Sequence, residues 1–201
     1  MQLTHLFQQA KQASRSVASM TDEARNAVLL AVAEEIRTQS ASLLQANRKD
    51  LAAMHKSNPL YDRLMLTDER LCVISHDMEN VTRLPSPLGR VSHERTLDNG
   101  LRLHRVSVPF GVIGVVYEAR PNVTFDVFAL CFKSGNVCVL KGGRDAEASN
   151  QVAVDLIHGV LRRMGVDEQA VVLLPATHEA TAEMLNAVGY IDLCIPRGGR
   201  K

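Results

Sequence analysis

Three short polar stretches in this chain carry residue types and spacings suited to chemistry on an anionic or nucleotide ligand. The first, Glu118-Ala119-Arg120-Pro121-Asn122, follows an apolar run of Val112, Ile113, Val115 and Val116. The second, Lys141-Gly142-Gly143-Arg144, follows the apolar run from Val137 to Leu140. The third is Ile195-Pro196-Arg197-Gly198-Gly199 near the C-terminus. Polar and basic residues at the ends of parallel strands are what a doubly wound sheet presents to a nucleotide or an anionic substrate.

Each stretch has a chemical and a plainer reading. Pro121 restrains Arg120 to extended geometry, so the first loop is stiff. Asn122 either offers its amide NH2 to a developing oxyanion, as acyl chemistry needs, or caps the next helix, which residue type alone favours. Arg120 either grips a phosphate or carboxylate bidentately or is a solvated charge. Gly142 and Gly143 let the backbone approach a ligand closely, and a helix capped by Asp145 would present free N–H groups. The alternative is a strand-to-helix turn with two exposed cations. Neither G-x-G-x-x-G nor a P-loop is present, so a standard Rossmann fingerprint is excluded. The RGGRK end, taken alone, reads as a frayed tail.

Other reactive residues are less suggestive. Cys72, Cys131, Cys138 and Cys194 form no CxxC pair and no metal-ligand spacing. Three of them lie in apolar runs, where Cys behaves as a small buried hydrophobe, and all four read as reduced structural thiols. The seven histidines form no i,i+4 pair. No metal site is expected, and no nucleophile elbow occurs.

The elements that position these stretches follow from apolar period. Residues 1–83 read as helical, from Leu3, Leu6, Phe7, Ala10, Ala13 and Val17 at helical spacing. Thr21 is placed to cap a second helix and Ser40 to start a third. Ser57-Asn58-Pro59 interrupts the pattern, and Thr67-Asp68-Glu69 starts a fourth helix ending near Leu84. Pro85, Pro87 and Gly89 mark a boundary. Residues 90–109 alternate around Asp98-Asn99-Gly100, a hairpin signal. Such a ribbon is marginal alone and needs a surface, either its own domain or a partner subunit. From Gly111 strands near 112–117, 137–140, 171–174 and 190–195 alternate with helices near 124–134, 146–164 and 178–188. Near-continuous apolar strands joined by helices imply a parallel sheet covered on both faces. The expected divisions are a helical region over 1–89, a hairpin over 90–109 and a nucleotide-binding α/β domain over 110–201.

The wording from Val108 to Asn150, with YEARPN and LKGGR, and from Tyr190 to Gly199, with IPRGG, closely resembles the gamma-glutamyl phosphate reductases. These are aldehyde-dehydrogenase-like enzymes of proline biosynthesis. The resemblance implies a Rossmann-like sheet of that fold, ending before the catalytic domain. It implies a cytoplasmic oxidoreductase that reduces L-glutamyl 5-phosphate with NADPH to L-glutamate 5-semialdehyde and phosphate, through a cysteine thioester. It makes Asn122 the oxyanion donor and Arg120 a substrate ligand. It places NADP(H) against Glu118, Ala119, Lys141, Gly142, Gly143, Arg144, Gly198 and Gly199, with Lys141 at the adenosine ribose and Arg144 near a 2′-phosphate. The hairpin would belong to an oligomerisation element, giving a homo-oligomer, with functional coupling to glutamate 5-kinase. No cysteine here lies in the family's Ser/Thr-Cys-Asn context. The chain therefore reads as an N-terminal half, expected to be inactive alone. Two rivals are a non-catalytic nucleotide-binding module of the same fold and another acyl or aldehyde dehydrogenase. YEARPN argues against the latter, since general aldehyde dehydrogenases resemble a Pro-Trp-Asn wording there.

Composition narrows the classes. With 201 residues, 46% hydrophobic and 22% charged, the chain is ordinary globular material. A net charge of +1 and 4% aromatic content without Trp give no case for nucleic acid. No apolar run approaches the ~20 residues that span a bilayer, and the N-terminus is an amphipathic helix without a signal-peptide core.

Overall fold

The structure, a computed structural model, describes residues 3–197. Its N-terminal part is built from helices whose starts are chemically marked. Helix α1 (Thr4–Ser19) buries Phe7, Ala10, Ala13 and Val17 along one stripe. Helix α2 (Asp22–Thr38) is capped by the Thr21 hydroxyl, which accepts from the Ala24 amide at 3.1 Å. Asp22 and Glu23 complement the positive end of its dipole. Helix α3 (Ser40–Ala52) follows after a single residue. A short helical turn, α4 (Tyr61–Leu64), occupies the expected break. Helix α5 (Asp68–Arg83) is capped by Thr67, which accepts from Arg70 N at 3.2 Å.

Strands β1 (Val91–Thr96) and β2 (Arg102–Val106) pair antiparallel as a separate two-stranded ribbon. Its turn closes through Leu97 N to Leu101 O at 2.9 Å, and Gly100 takes φ 84°, a conformation open to glycine. Every residue of both strands is exposed. The ribbon thus does not bury itself against the rest of the described chain.

The α/β part holds four parallel strands, β3 (Val112–Val116), β4 (Val137–Lys141), β5 (Val171–Leu173) and β6 (Leu193–Pro196), in the order β5-β4-β3-β6. Helices α6 (Pro121–Lys133), α7 (Glu147–Arg163) and α8 (His178–Leu185) make the crossovers. The chain runs outward from β3 to β5, then returns to place β6 on the free side of β3. Right-handed crossovers in opposite directions put helices on both faces. Helices α6 and α7 cover one face under an outer layer of α2, α3 and α5. Helix α1 lies against β3, β4 and β5 beside the α8–β6 segment, where Lys11 Nζ meets Asp192 at 2.6 Å and Gln8 meets Tyr190. Strand β6 begins later than the apolar run suggests, because Gly189 at φ 85° and the Tyr190 and Ile191 amides bonded to Ala187 O complete a turn first.

One hydrophobic core joins the two parts: Val28, Leu29 and Ile36 of α2 and Met78 of α5 pack in the same cluster as Phe125, Phe128 and Phe132 of α6 and the strand residues. The helical region is therefore a layer of the α/β fold rather than an appendage. A polar tie reinforces the layer. Lys133 of α6, 3% exposed, donates to Asp22 (2.9 Å), Asn26 (2.8 Å) and the Thr82 carbonyl (3.3 Å), linking α2, α5 and α6.

Candidate functional site

The chain reverses direction across the sheet between β3 and β6. A crevice at such a switch, outside the carboxyl ends of the strands, is where doubly wound sheets bind ligands. Residues 117–122 leave β3 there, residues 142–146 leave β4 beside them, and Arg197 follows β6, its amide bonded to Val116 O at 2.9 Å. Gly198 and Gly199 lie outside the described residues.

The first two loops are locked together. Tyr117 N donates to Lys141 O at 3.1 Å. A Cβ on Gly143 would press at 3.3 Å on the backbone of Glu118 and Ala119. A Cβ on Gly142 would collide with the Asn150 amide. Contacts within the chain thus constrain both glycines, which also line a cleft at the end of β4. Asn150 belongs to a buried chain of hydrogen bonds: Thr124 donates to Asn150 Oδ1 (2.9 Å), so the Tyr117 hydroxyl donates to Thr124 (2.7 Å). Burial pushes the Tyr117 phenol well above its usual range, which keeps it a neutral donor.

Arg120 is extended (φ −145°, ψ 92°) and Pro121 takes the first helical position of α6, as the X-Pro rule requires. Asn122 does not cap the helix. It sits in the first turn, and its Nδ2 donates to Asp126 Oδ2 at 3.1 Å, one turn on. That contact fixes the amide while leaving its second N–H to point elsewhere. Burial, and secondarily the charge of Asp77, raise the pKa of Asp126 against the pull of the Asn122 bond.

Helix α7 departs from expectation. Asp145 is not its cap; it lies in a single 3-10 turn, Arg144–Ala146, ahead of the helix. The cap comes from α3 instead: the Asp50 carboxylate accepts from the amides of Ala148 (3.1 Å) and Ser149 (2.8 Å) and from the Ser149 hydroxyl (2.5 Å). Those amides are consequently not free for a phosphate. Asn47, one turn earlier on α3, donates to Ser149 Oγ (3.1 Å) and to Leu64 O (2.8 Å) and accepts from Leu66 N (2.7 Å). It ties α7 to the segment around α4.

Two of the clefts at this edge border the 118–122 loop or the paired glycines. One, of about 370 Å³, has Arg120, Asn122 and Asp126 on one wall and Arg63, Arg70 and Asp77 among the residues of the other. The other, of about 250 Å³, runs between the ends of β4 and β5, bounded by Gly142, Gly143, Glu147, Asn150, Leu174 and Pro175 among others. Glu118 and Arg120 are exposed, Ala119 is buried, and Arg144 is exposed beside the half-buried Lys141. Burial first, and then the Arg144 charge, lower the Lys141 pKa.

Asp126, Arg63, Asn150 and the Leu174-Pro175 turn were not singled out from the sequence. Asp126 had one usable signal, its i,i+4 spacing from Asn122. Arg63 and Pro175 reach the site only through tertiary packing. The cysteines stand as expected: Cys131 and Cys138 are buried, their contact and burial raising the Cys138 thiol, while burial also raises the half-buried Cys194. Cys72 is exposed on α5. Among the described residues no His, Cys, Asp and Glu cluster suits a metal, and no helix is long and apolar enough to cross a membrane.

No family model matches the chain. Curated relatives do. A gamma-glutamyl phosphate reductase from Bacteroides fragilis is 54% identical over 98% of this chain and 48% of its own length. One from Pelodictyon phaeoclathratiforme is 55% identical over 95% of this chain and 46% of its own. The crystal structure of gamma-glutamyl phosphate reductase from Thermotoga maritima superposes with a TM-score of 0.94 at 33% identity, covering 99% of this chain and 49% of that one. A probable aldehyde dehydrogenase from Listeria monocytogenes shares the fold with a TM-score of 0.73 at 15% identity, over 94% of this chain and 40% of its own. The chain spans about half the length of the relatives it matches. It has the aldehyde-dehydrogenase-like α/β fold and is, over that half, a homologue of the gamma-glutamyl phosphate reductases.

Proposed function

We propose that this chain supplies the nucleotide cleft and the oxyanion donor of a reductase that uses NADPH to convert L-glutamyl 5-phosphate to L-glutamate 5-semialdehyde and phosphate. The observation carrying the reading is the packing of loop 118–122 onto Gly143 at the carboxyl edge of a parallel sheet, beside its switch point. There a nucleotide and an acyl group would come together.

The residues between β4 and β5 suit part of a dinucleotide. About 250 Å³ is below the roughly 300–1,000 Å³ of clefts that enclose a whole ligand. It suits a nucleoside: Leu174 and Pro175 offer an apolar wall for a base, and Glu147 an acceptor for ribose hydroxyls. Lys141 and Arg144 would favour a 2′-phosphate, hence NADP(H) over NAD. Bound there, the cofactor would supply hydride. The diphosphate would lie elsewhere, because Asp50 occupies the first amides of α7. A glycolyl-CoA reductase of the same fold has been solved with NADP+ bound.

For the acyl group, Asn122 would direct its second amide N–H at the carbonyl oxygen as negative charge develops there, already oriented by Asp126. Arg120 would meet the phosphate. The nucleophilic thiolate would come from outside these residues. A reactive Cys needs a depressed pKa and access, whereas Cys138 and Cys194 are shifted upward and Cys131 is buried. Cys72 lines neither cleft.

Titration of the purified chain with NADPH, followed by nucleotide fluorescence, tests the reading. Saturable binding, weaker for NADH and weakened further by exchanging Lys141 and Arg144 for Ala, is expected, without reductase turnover. No saturable binding would defeat it.

A further inference from the structure

The exposed ribbon ends in a turn whose residues suit a covalent reaction of the chain with itself. Gly100 N donates to Leu97 O and Leu97 N to Leu101 O, both at 2.9 Å, with Gly100 at φ 84°, as in a hairpin turn closed by a glycine bulge. Asn99 and Gly100, at its tip, are exposed. Asn99 Oδ1 accepts from the Leu101 amide at 3.1 Å. That bond folds the side chain back over the Gly100 peptide and draws electron density from Cγ, the atom a nucleophile attacks. Gly100 has no Cβ to obstruct its nitrogen. The other asparagines lack one or more of these features. Asn47, Asn136 and Asn150 are buried, and Asn26, Asn80 and Asn122 lie half-buried in helices. Asn58 precedes Pro59, which carries no N–H. Asn186 is exposed, but its Nδ2 is tied to Ala182 O at 2.8 Å and the next residue has a Cβ.

We propose that Asn99 is a site of spontaneous deamidation, at which the Gly100 nitrogen closes a succinimide that water reopens to aspartate or isoaspartate. The Gly100 amide gives up its proton and bonds to Asn99 Cγ; the Cγ–Nδ2 bond breaks and ammonia leaves with that proton. Water then opens either C–N bond of the ring, with no change of oxidation state. Opening at one carbonyl restores an ordinary peptide as Asp; opening at the other leaves a β-linked isoaspartate. Attack requires the Gly100 N–H to leave Leu97 O, so the rate follows how often the turn opens. A two-stranded ribbon is marginal alone, and here every strand residue is exposed, so opening is frequent. The isoaspartyl product carries an extra backbone carbon and a new negative charge beside Asp98. Both turn bonds then lose their register, which makes the ribbon tip the part of this chain that ages first.

Incubation of the intact chain at mildly alkaline pH, followed by tryptic mapping, tests the proposal. The peptide 96–102, released by cleavage after Arg95 and Arg102, should gain a single dalton. It should split into aspartyl and isoaspartyl products, with ammonia released in equal amount. The rate should rise with pH, since the attacking nitrogen must lose its proton. A synthetic peptide of residues 96–102 gives the rate of the open turn. The folded chain should react within about tenfold of it, an opening free energy of no more than about 1.4 kcal/mol. N99S, whose hydroxyl can also accept from a backbone amide two residues on, keeps the turn and should show no gain. A folded-chain rate slower than that, equal conversion at another asparagine, or the same gain in N99S would overturn the proposal.

Discussion

Replacing Asp50 with Ala removes a cap that belongs to a different helix from the one it serves. Three hydrogen bonds are lost: those from the amides of Ala148 and Ser149 and from the Ser149 hydroxyl. The amides lie in the first turn of α7, where no intrahelical acceptor exists, and losing a side-chain cap costs about 1 kcal/mol. The Ser149 hydroxyl is 1% exposed and would be left a buried donor, which costs about 1–3 kcal/mol. Together D50A should destabilise by roughly 3 kcal/mol. D50N keeps one oxygen as acceptor for Ser149 but turns its NH2 toward the Ala148 amide and gives up the charge at the helix dipole, so roughly 1–2 kcal/mol is expected. For a chain of this size D50A should lower Tm by about 6–12 °C. Urea unfolding followed by circular dichroism measures both variants. Loss below about 0.5 kcal/mol for D50A, or equal losses for D50A and D50N, would refute the argument that the charged carboxylate caps α7 across the fold.

K133M removes one of the two cations that Asp22 faces, leaving Arg25 at 3.6 Å; breaking a buried pair costs about 3–5 kcal/mol, reduced to about 2 here by the exposure of Asp22 and the remaining Arg25, and urea denaturation would read it. Burial works to raise the Asp22 pKa, but the Lys133 hydrogen bond and charge, with the Asn26 hydrogen bond and the Arg25 charge, together outweigh it and hold it below the ordinary 3.8. That contribution is complete above the unfolded value and is lost as pH falls through 3.8 toward the folded value. Below pH 4 the unaltered chain should therefore lose stability more steeply than K133M; parallel acid-limb slopes would contradict this. G142A forces Asn150 off the Thr124–Tyr117 chain and should cost about 1–3 kcal/mol while weakening NADPH binding, and an unchanged melting curve would show that Asn150 has room to move.

Much of the fold was legible in the sequence because the signals are local. Thr21 and Thr67 announce their helices through a hydroxyl three residues ahead of an amide, and both bonds form. Asn99-Gly100 marks the hairpin, since a left-handed turn needs glycine at little steric cost. The apolar runs at 112–116 and 137–140 become the two central strands, buried on both faces as parallel strands must be. Pro121 alone determined the extended backbone of Arg120.

Tertiary structure decided what those signals meant at the site. Gly142 and Gly143 look like a ligand cradle in the sequence, and they do line a cleft, but only the tertiary structure shows that Asn150 and the Glu118–Ala119 backbone also pack against them. Asp145 stands where a cap should, yet Asp50, distant in sequence, takes the amides. Arg63 reaches the cleft of Arg120 and Asn122 because Asn47 binds both Ser149 and the Leu64–Leu66 segment. Periodicity and capping depend on neighbours a few residues apart, so the chain alone determines its elements and their order. Which polar groups meet at the carboxyl edge depends on how helices from the first part of the chain dock over the sheet, and no local pattern encodes that.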